Sequence, residues 1–274
     1  MKHILIVANS EKPNYQGCVE QICKQIQSFG GTSDVVLMRK GTELSSEISF
    51  KQVKDKEGVV VIGGDGTLLR AARALRDYHL PLIGVNLGTV GFLCEIDEEH
   101  IQESVDCILQ DRFRLEKRMQ LSGQTDTDGI DYALNEVAIY RGTQLTTTSV
   151  QLYVDGQFLT TYRGDGIVVA TPTGSTGYSM SCGGPIMDPA SHMIVVTPIA
   201  PHSISLARSI VLEEGAEVEI RPLFREADEE VLISFDGANT YPLKGSVKIR
   251  RSDECITMMR LKKTGFLEVL KTKL

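Results

Sequence analysis

VVVIGGDGTLLRAARAL, residues 59–75, is the segment that determines how the first half of this chain folds. Its first four residues, Val59–Ile62, form a β-branched run that predicts a buried strand. Gly63–Thr67 follows as a glycine-rich turn, and Leu68–Leu75 predicts the opening of a helix. This combination favours anion binding, because free backbone N–H groups and the helix dipole point at the turn.

Asp65 is the unusual residue of this turn, because it puts a carboxylate where a negative charge would otherwise bind. A simple phosphate-binding turn has little use for a carboxylate. A phosphoryl-transfer site does, since a carboxylate holds Mg²⁺ or accepts the proton of an attacking hydroxyl. The alternative is a plain turn with an Asp cap, because Asp and Gly are common turn residues. The motif alone leaves both interpretations open.

The composition is that of an ordinary soluble globular protein, with 274 residues of which 42% are hydrophobic and 24% charged. This length suits two domains with separate cores and also admits one large domain. The net charge of -7 provides no basic surface, so nucleic acid is not expected as a partner. An anionic ligand would need a local positive site.

The cysteines and the apolar runs indicate the compartment. The six cysteines show no CxxC and no Cys/His ligand spacing, so they predict reduced thiols in a cytoplasmic protein and no metal site. They are Cys18, Cys23, Cys94, Cys107, Cys182 and Cys255. Residues 1–7 are too short an apolar stretch for a signal peptide. No run approaches about 18 apolar residues, so no membrane span is predicted.

Residues 1–113 are predicted to form an α/β nucleotide-binding domain around a parallel sheet, because short buried strands alternate with helices. The predicted strands are His3–Val7, Val35–Met38, Val59–Ile62 and Pro81–Asn86, and the predicted helices run from Cys18 to Phe29, from Leu68 onward and from Glu98 to Gln110. A second glycine-rich loop, Leu87–Leu93, follows the fourth strand. Ligands bind outside the C-terminal ends of parallel strands, and both glycine loops fall at such ends.

Residues 114–257 are predicted to form a β-rich, layered or sandwich-like domain, because short alternating strands replace the helices. The predicted strands are Tyr132–Tyr140, Ser149–Val154, Phe158–Tyr162, Gly166–Ala170, Met193–Thr197, Val218–Arg221, Val231–Phe235 and Val247–Arg250. Asp155-Gly156 and Asp236-Gly237 are dipeptides typical of two-residue hairpin turns. Residues 258–274 form a tail that is predicted to return to the first domain and pack on it.

Two polar segments of the second half are candidates for ligand binding. Asn135-Glu136 interrupts an apolar strand, and adjacent strand residues face opposite sides, so one of the two is predicted to face inward and need a partner. Thr171–Ser181 is a loop whose hydroxyls suit ribose or phosphate oxygens, and its Tyr178 offers a stacking face. The alternatives are a water-exposed strand end for the first segment and a loop that caps a helix for the second.

These segments together resemble the NAD kinase family over nearly the full length of the chain. The similarity rests on Gly63–Thr67, Asn135-Glu136, Arg163–Gly166 and Thr171–Ser181, which continues into Gly183–Ile186, and also on Pro198–Ser203. The GGDGT pentapeptide is shared with diacylglycerol and sphingosine kinases and with phosphofructokinases. The Asn-Glu pair, followed at this distance by the TPTGSTGY loop, is much more specific.

The resemblance implies phosphoryl transfer from ATP, or from inorganic polyphosphate, to the 2′-hydroxyl of the adenosine ribose of NAD, which gives NADP. It implies that Asp65 is the catalytic proton acceptor and that Mg²⁺ or another divalent cation takes part, with no residue assigned as a metal ligand. It also implies a homo-oligomer, a dimer or a tetramer, in which Asp165 reaches the site of a neighbouring subunit. The implied fold is an α/β domain, a β-rich domain and a C-terminal tail that returns to the first domain.

The residues that the resemblance assigns to substrate and cofactor binding lie in several short segments. Phe92 is assigned to a place beside the adenine, Asn135 and Glu136 to ribose or base polar groups, and Tyr178 to a place near a base. The complete set is Gly64, Asp65, Gly66, Thr67, Arg70, Phe92, Asn135, Glu136, Arg163, Asp165, Thr176, Gly177, Tyr178, Ser179, Met180 and Ser181. The chain departs from the family pattern at Gly177, where many members have Ala, and at Ala238, where Gln is frequent.

Two other functions remain as alternatives. A lipid kinase of the GGDGT group would need an exposed apolar entry or a basic amphipathic surface, and the sequence shows neither. A protein that senses NAD or NADP without turnover would keep the binding loops, and the intact Asp65 argues against it. The histidines accompany no nucleophile signature such as GxSxG, so no chemistry is assigned to them.

Overall fold

A computed structural model describes residues 1–88, 91–126, 129–143, 147–202, 208–224, 229–261 and 266–273. Thr89 and Val90 of the second glycine loop, Ser203 and parts of the tail (262–265 and 274) therefore lie outside the described residues. The chain forms two compact units. Unit 1 comprises Met1–Lys117 and Ile256–Leu274, and unit 2 comprises Arg118–Cys255. The predicted domain divisions at 113/114 and 257/258 stay predictions.

Unit 1 alternates strands and helices along the chain. Its elements are β1 (His3–Asn9), α1 (Tyr15–Ser28), β2 (Thr32–Met38), α2 (Leu44–Glu47), α3 (Phe50–Val53), β3 (Gly58–Gly63), α4 (Asp65–Ala74), β4 (Leu82–Asn86), β5 (Ile96–Asp97), α5 (Ile101–Leu109), the end of β17 (Val247–Arg260) and α7 (Phe266–Lys273). Single turns of 3-10 helix lie at Arg76–Tyr78 and Glu98–His100. Among the helices that the structure describes, none is long and apolar enough to cross a membrane.

The sheet of unit 1 is parallel, with the strand order β5-β4-β3-β1-β2. Met258, near the end of β17, pairs with Leu82 of β4, also in parallel. All six residues of β3 and all five residues of β4 are buried, as expected for a parallel sheet that is covered on both faces. The α/β architecture predicted for the first half of the chain is therefore confirmed.

Helices α1 and α5 contribute to a core on one face of this sheet. Ile22 of α1, Val105 of α5 and Ile62 of β3 share one buried cluster. The alternate strand residues Val59 and Val61 point to the opposite face and are also buried. Both faces are closed to solvent, which leaves the ends of the strands as the place where polar groups meet water.

Unit 2 consists almost entirely of strands. Its elements are β6 (Arg114–Thr125, which begins in unit 1), β7 (Gly129–Ala133), β8 (Glu136–Arg141), β9 (Thr148–Val154), β10 (Gln157–Gly164), β11 (Gly166–Ala170), α6 (Tyr178–Ser181), β12 (Met193–Ile199), β13 (Ile210–Glu213), β14 (Val218–Pro222), β15 (Val231–Phe235), β16 (Asn239–Pro242) and the start of β17. A turn of 3-10 helix at Gly174–Thr176 precedes α6.

The strands of unit 2 form two antiparallel layers. One has the order β10-β9-β14-β17, with the β6-β7 pair joined to it through β6 and β17, and the other has the order β13-β12-β11-β8-β15-β16. Leu152 and Ile220 of the first layer share one buried core with Ile139, Ile167 and Phe235 of the second. The predicted β-rich, layered architecture is therefore confirmed.

The prediction of one strand over Tyr132–Tyr140 is wrong, because two residues without strand structure separate β7 from β8. We call this interruption the break between β7 and β8. Leu134 and Asn135 belong to neither strand; β7 pairs with β6, whereas β8 pairs with β11 and β15. The sequence pattern also missed β6, and β17 ends at Arg260 rather than at the predicted Arg250.

Both predicted hairpin turns are confirmed. Asp155 and Gly156, with φ angles of 49° and 76°, join β9 to β10, and Asp236 and Gly237, with φ angles of 52° and 67° and followed by Ala238, join β15 to β16. Two successive residues with positive φ are the signature of a type I′ turn, for which Asp-Gly is strongly preferred.

Candidate active site

The passage from β3 into α4 requires glycine at its first position. β3 ends at Gly63, and a Cβ atom there would lie 2.4 Å from Oγ1 of Thr67. Thr67 folds back under the turn, and its Oγ1 accepts a hydrogen bond from Nδ2 of Asn9 at 3.2 Å. α4 begins at Asp65, earlier than the predicted start at Leu68, so the carboxylate stands in the first turn of the helix.

Backbone N–H groups of the second glycine loop hold the Asp65 carboxylate in place. Phe92 N–H donates to Oδ2 at 2.7 Å, and the N–H groups of Leu93 and Cys94 donate to Oδ1 at 3.2 Å each. Burial, the charge of Asp65 and a hydrogen bond to it raise the pKa of the Cys94 thiol far above its ordinary value. The neutral thiol is thus a fourth donor, and an ionised carboxylate has about four acceptor sites.

Gly91 makes room for this carboxylate. A Cβ atom at position 91 would lie 1.8 Å from Oδ1 of Asp65 and 2.4 Å from its Cγ, so an unshifted side chain does not fit there. The sequence placed both glycine loops at strand ends. The sequence gave no signal that the loop after β4 binds the Asp65 carboxylate of the loop after β3, since such a contact depends on how β3 and β4 pair.

The remaining predicted residues of unit 1 lie on the same strand, turn and helix or on the loop bonded to them. A Cβ atom at Gly66 would have no neighbour within 4 Å, so the backbone at the start of α4 is open to a ligand. Arg70, farther along α4, donates from Nη2 to the carbonyl oxygen of Thr42 at 2.9 Å. Unit 1 thus groups Gly64, Asp65, Gly66, Thr67, Arg70 and Phe92.

A second carboxylate organises the candidate site of unit 2. Asp236 accepts the N–H of Leu134 on Oδ2 at 2.7 Å, and its Oδ1 accepts those of Asn135 at 2.8 Å and Glu136 at 3.1 Å. These bonds stabilise the break between β7 and β8. The sequence predicted Asp236 only as a hairpin residue, because nothing in its neighbours shows that its side chain reaches a segment 100 residues earlier.

Asn135 and Glu136 have polar atoms buried without a partner. Among the described residues, neither Oδ1 of Asn135 nor Oε2 of Glu136 has a hydrogen-bond partner. Burial, followed by the charge of Asp236, raises the pKa of Glu136 to about 8, while the backbone N–H of Tyr178 opposes this rise. Because buried polar atoms are normally paired, these two are candidates for contact with a ligand.

Several hydroxyl groups of the loop Thr171–Ser181 hold the loop itself together. Thr171 Oγ1 donates to the carbonyl oxygen of Leu134 at 2.7 Å, and Ser175 Oγ donates to that of Pro172 at 2.7 Å. Thr171 and Ser175 are fully buried. Thr171 thus fixes the loop against the segment that contains the Asn-Glu pair, and Ser175 ties the loop to itself, so the first role of both is structural.

Two further hydroxyl groups of this loop also have partners inside unit 2. Thr173 Oγ1 accepts a hydrogen bond at 3.1 Å from the buried guanidinium of Arg118, which the sequence analysis did not single out. Ser179 is fully buried and shares a hydrogen bond of 3.0 Å with Thr197. The assignment of Ser179 to ligand binding stays a prediction, and its hydroxyl already has a partner.

The other predicted residues of the loop are accessible. The ring of Tyr178 is 41% exposed, Ser181 is exposed, and Thr176, Gly177 and Met180 are partly exposed. A Cβ atom at Gly177 would lie 2.8 Å from Oε2 of Glu136, so the departure from the family's frequent Ala leaves space beside that carboxyl group. These residues therefore present backbone and an aromatic ring to a ligand.

Arg163 and Asp165 flank Gly164 at the junction of β10 and β11. Asp165 Oδ1 accepts a hydrogen bond from Nε of Arg141 at 2.9 Å, and the side chain of Asp165 is 42% exposed. Arg163 Nε donates to Oγ1 of Thr147 at 3.1 Å. Arg141, which the sequence analysis missed, fixes one oxygen of Asp165.

Within the described ranges, no group of three or more His, Cys, Asp or Glu side chains is placed to hold a metal ion.

Comparisons with known proteins identify the family. The profile of the ATP-NAD kinase N-terminal domain matches residues 4–113, and that of the ATP-NAD kinase C-terminal domain matches residues 134–261. The chain is 38% identical over 280 residues to the NAD kinase of Agathobacter rectalis, covering 100% of this chain and 99% of that protein. It is 33% identical over 287 residues to the NAD kinase of Lachnoclostridium phytofermentans, covering 100% and 99%.

Solved structures share the architecture. Yeast NADH kinase complexed with NADH matches with a TM-score of 0.84 and 23% identity, over 99% of this chain and 86% of that one, which supports the fold alone. An NAD kinase from Archaeoglobus fulgidus in complex with ATP matches with a TM-score of 0.80 and 25% identity, over 99% and 98% of the two chains.

Proposed function

The chain belongs to the NAD kinase family, and we infer that it phosphorylates NAD to NADP with ATP as donor. We propose that the acceptor is the 2′-hydroxyl of the adenosine ribose. The main support for this reaction is the Asp65 carboxylate at the start of α4. Three backbone N–H groups hold it in place, and the helix backbone beside it is open at Gly66. A positioned carboxylate next to an anion-binding helix end suits transfer of a phosphoryl group to a hydroxyl.

Asp65 is proposed to accept the proton of the ribose hydroxyl. A substrate hydroxyl must replace one of the donors that occupy its oxygens. The thiol of Cys94 is the weakest of these donors, because S–H forms only weak hydrogen bonds. The three N–H groups would then keep the carboxylate oriented while the hydroxyl takes the place of the thiol, which places the reacting oxygen without moving the loop.

The residues of unit 2 are proposed to bind the dinucleotide. Asn135 and Glu136 offer buried polar atoms that lack partners, and Tyr178 offers an exposed ring for stacking on a base. The accessible part of the loop, Thr176–Ser181, is proposed to line the bound NAD, with Ser179 supporting it from the interior. Arg163 and Asp165 are proposed as ligand contacts made in an oligomer.

Mg²⁺ or another divalent cation is proposed to enter with the ATP. Mg²⁺ is usually held by substrate phosphates together with one or two carboxylates, so a site of this kind needs no larger cluster of protein ligands. When bound, the ion neutralises charge on the β- and γ-phosphate oxygens. Inorganic polyphosphate as a second donor, a cytoplasmic location and a dimeric or tetrameric assembly belong to the same proposal.

Incubation of the purified protein with NAD, ATP and Mg²⁺ tests this function. We expect NADP, read with an NADP-specific dehydrogenase, and a product that carries the new phosphate on the 2′-oxygen by ³¹P NMR. Folded protein that forms no NADP with either ATP or polyphosphate would overturn the proposal. If calorimetry then shows that the protein binds NAD without forming product, the result would favour a sensor. If the protein phosphorylates diacylglycerol or sphingosine, the result would favour a lipid kinase.

A mixing experiment tests whether Asp165 acts in a neighbouring subunit. Chains carrying Asp65→Asn and chains carrying Asp165→Asn are each expected to be nearly inactive. If Asp165 completes the partner's site, each mixed dimer has one site with both native carboxylates, so an equal mixture recovers about one quarter of the wild-type activity. Absence of recovery, with subunit exchange demonstrated by differently tagged chains, would contradict the shared site.

A further inference from the structure

Glu136 and Asp236 are two carboxyl groups of unit 2 in opposite environments. Asp236 accepts three backbone N–H groups at 2.7–3.1 Å, which stabilises its ionised form. The Glu136 carboxyl group is buried and receives the backbone N–H of Tyr178, while its Oε2 has no partner among the described residues. When two carboxyl groups lie close together, the one with more donors keeps the negative charge and the other keeps the proton.

Resting on the function proposed above, we propose that Glu136 binds NAD as a neutral carboxylic acid, which donates a hydrogen bond to an acceptor atom of the dinucleotide. Asp236 is the positioning residue for this acid, because it fixes the backbone of Glu136 and repels a second negative charge. A donor at this point has a physical advantage. The pyrophosphate of NAD is anionic, so a neutral acid avoids the repulsion that a second carboxylate would add.

The charged and titratable groups around Glu136 support this state. Asp236 lies in the hairpin between β15 and β16. Tyr178 is the first residue of α6, and Cys182 directly follows that helix. Burial raises the pKa values of both Tyr178 and Cys182, so these two groups are neutral at pH 7. Among the described groups, Asp236 is therefore the charge that acts on Glu136, and burial together with this charge raises the pKa of Glu136 to about 8.

Gly177 and Asn135 border this acid. A Cβ atom at Gly177 would lie 2.8 Å from Oε2 of Glu136 and 3.2 Å from Nδ2 of Asn135, so glycine places no side chain against these two polar groups. Oδ1 of Asn135 is likewise buried without a partner. A donor from Glu136 next to an acceptor from Asn135 matches a group that both accepts and donates hydrogen bonds, such as a ribose hydroxyl.

Calorimetric titration of the full-length protein with NAD, from about pH 6.5 to about pH 9.5, tests the proposal, because NAD itself does not titrate in this range. We expect the dissociation constant to be constant below pH 8 and to rise above it, approaching about tenfold per pH unit as the acid ionises. Glu136→Gln, which keeps a donor and cannot ionise, is expected to bind NAD within about threefold of the wild type at pH 7 and to lose this rise.

Asp236→Asn tests the positioning role. It removes the charge that opposes ionisation of Glu136, so the rise in the dissociation constant is expected to begin at a lower pH than in the wild type. Asp155→Asn is the matched control, because Asp155 occupies the same position of the other Asp-Gly hairpin, where its Oδ1 accepts the N–H of Glu217 at 2.9 Å. This variant is expected to keep the wild-type pH dependence.

Two results would overturn the proposal. One is NAD affinity in the wild type that is flat or improves above pH 8. The other is a loss of about tenfold or more in Glu136→Gln with an unchanged thermal transition, which would show that the ionised form binds. The NADP assay on the same preparations separates this inference from the proposed function, since NADP formation without the expected pH dependence contradicts the inference alone.

Discussion

Asp65→Asn is expected to lower kcat for NADP formation by about 100-fold or more, with the KM for NAD within about threefold of the wild type. An amide does not accept the proton of a hydroxyl group, whereas the helix start and the residues of unit 2 that are proposed to bind NAD are unchanged. The loss should therefore fall on turnover. Steady-state kinetics with saturating ATP, together with the dissociation constant for NAD by calorimetry, measure it.

The control for this variant must account for the hydrogen bonds of the native carboxylate. Asn keeps one acceptor oxygen for the N–H groups of Leu93 and Cys94, but its NH₂ faces the N–H of Phe92, so the loop loses one hydrogen bond. A decrease in stability of about 1–2 kcal/mol is expected from this loss and is read from thermal unfolding. Asp77→Asn, at an exposed carboxylate of unit 1, should keep wild-type turnover. Near-normal kcat in Asp65→Asn would contradict the proton-acceptor role.

The elements that the sequence predicted well are those specified by local patterns. β3 and β4 are buried on both faces and are apolar almost throughout, so their assignment follows from the residues alone. The hairpins at Asp155 and Asp236 follow from the positive φ that Asp-Gly adopts easily. In such segments the local preference and the tertiary structure agree, and one sequence is sufficient.

The elements that the sequence missed depend on distant partners. β6 places Arg118, Gln120 and Ser122 in the interior, so one face of this strand is polar although buried, and alternation of apolar residues did not reveal it. The break at Leu134 and Asn135 lies in an otherwise apolar run, and a carboxylate from a distant hairpin stabilises it. Patterns of single residues do not encode such contacts.

The candidate site divides in the same way. The motif around Asp65 was visible as a glycine-rich turn that contains a carboxylate, and the Asn135-Glu136 pair was visible as a polar interruption of an apolar run. Their partners were not visible, since Gly91 and Asp236 have ordinary roles as loop glycine and hairpin residue when they are considered alone. The structure adds two carboxylates, Asp65 and Asp236, that each receive three consecutive backbone N–H groups.

Gly91→Ala is expected to lower kcat by about 100-fold, close to the effect of removing the Asp65 carboxylate itself. The new Cβ atom would lie 1.8 Å from Oδ1 of Asp65, so either the carboxylate turns away or the loop backbone moves, and both break the set of N–H hydrogen bonds. Gly215→Ala is the matched control, since the nearest atom to its Cβ would be 4.0 Å away, and it should keep wild-type kcat.

A double variant decides whether Gly91 acts through Asp65. If the sole effect of the Ala methyl group is to displace the carboxylate, Gly91→Ala in the Asp65→Asn background should lower kcat by no more than about threefold beyond Asp65→Asn alone, because residues that act as a unit are not additive. Multiplication of the two single effects would show that Gly91 contributes separately, for example through the shape of the loop. Wild-type kcat in Gly91→Ala would show that turnover does not depend on the position of the Asp65 carboxylate seen here. The three backbone N–H groups of Phe92, Leu93 and Cys94 would then not be needed to orient the base.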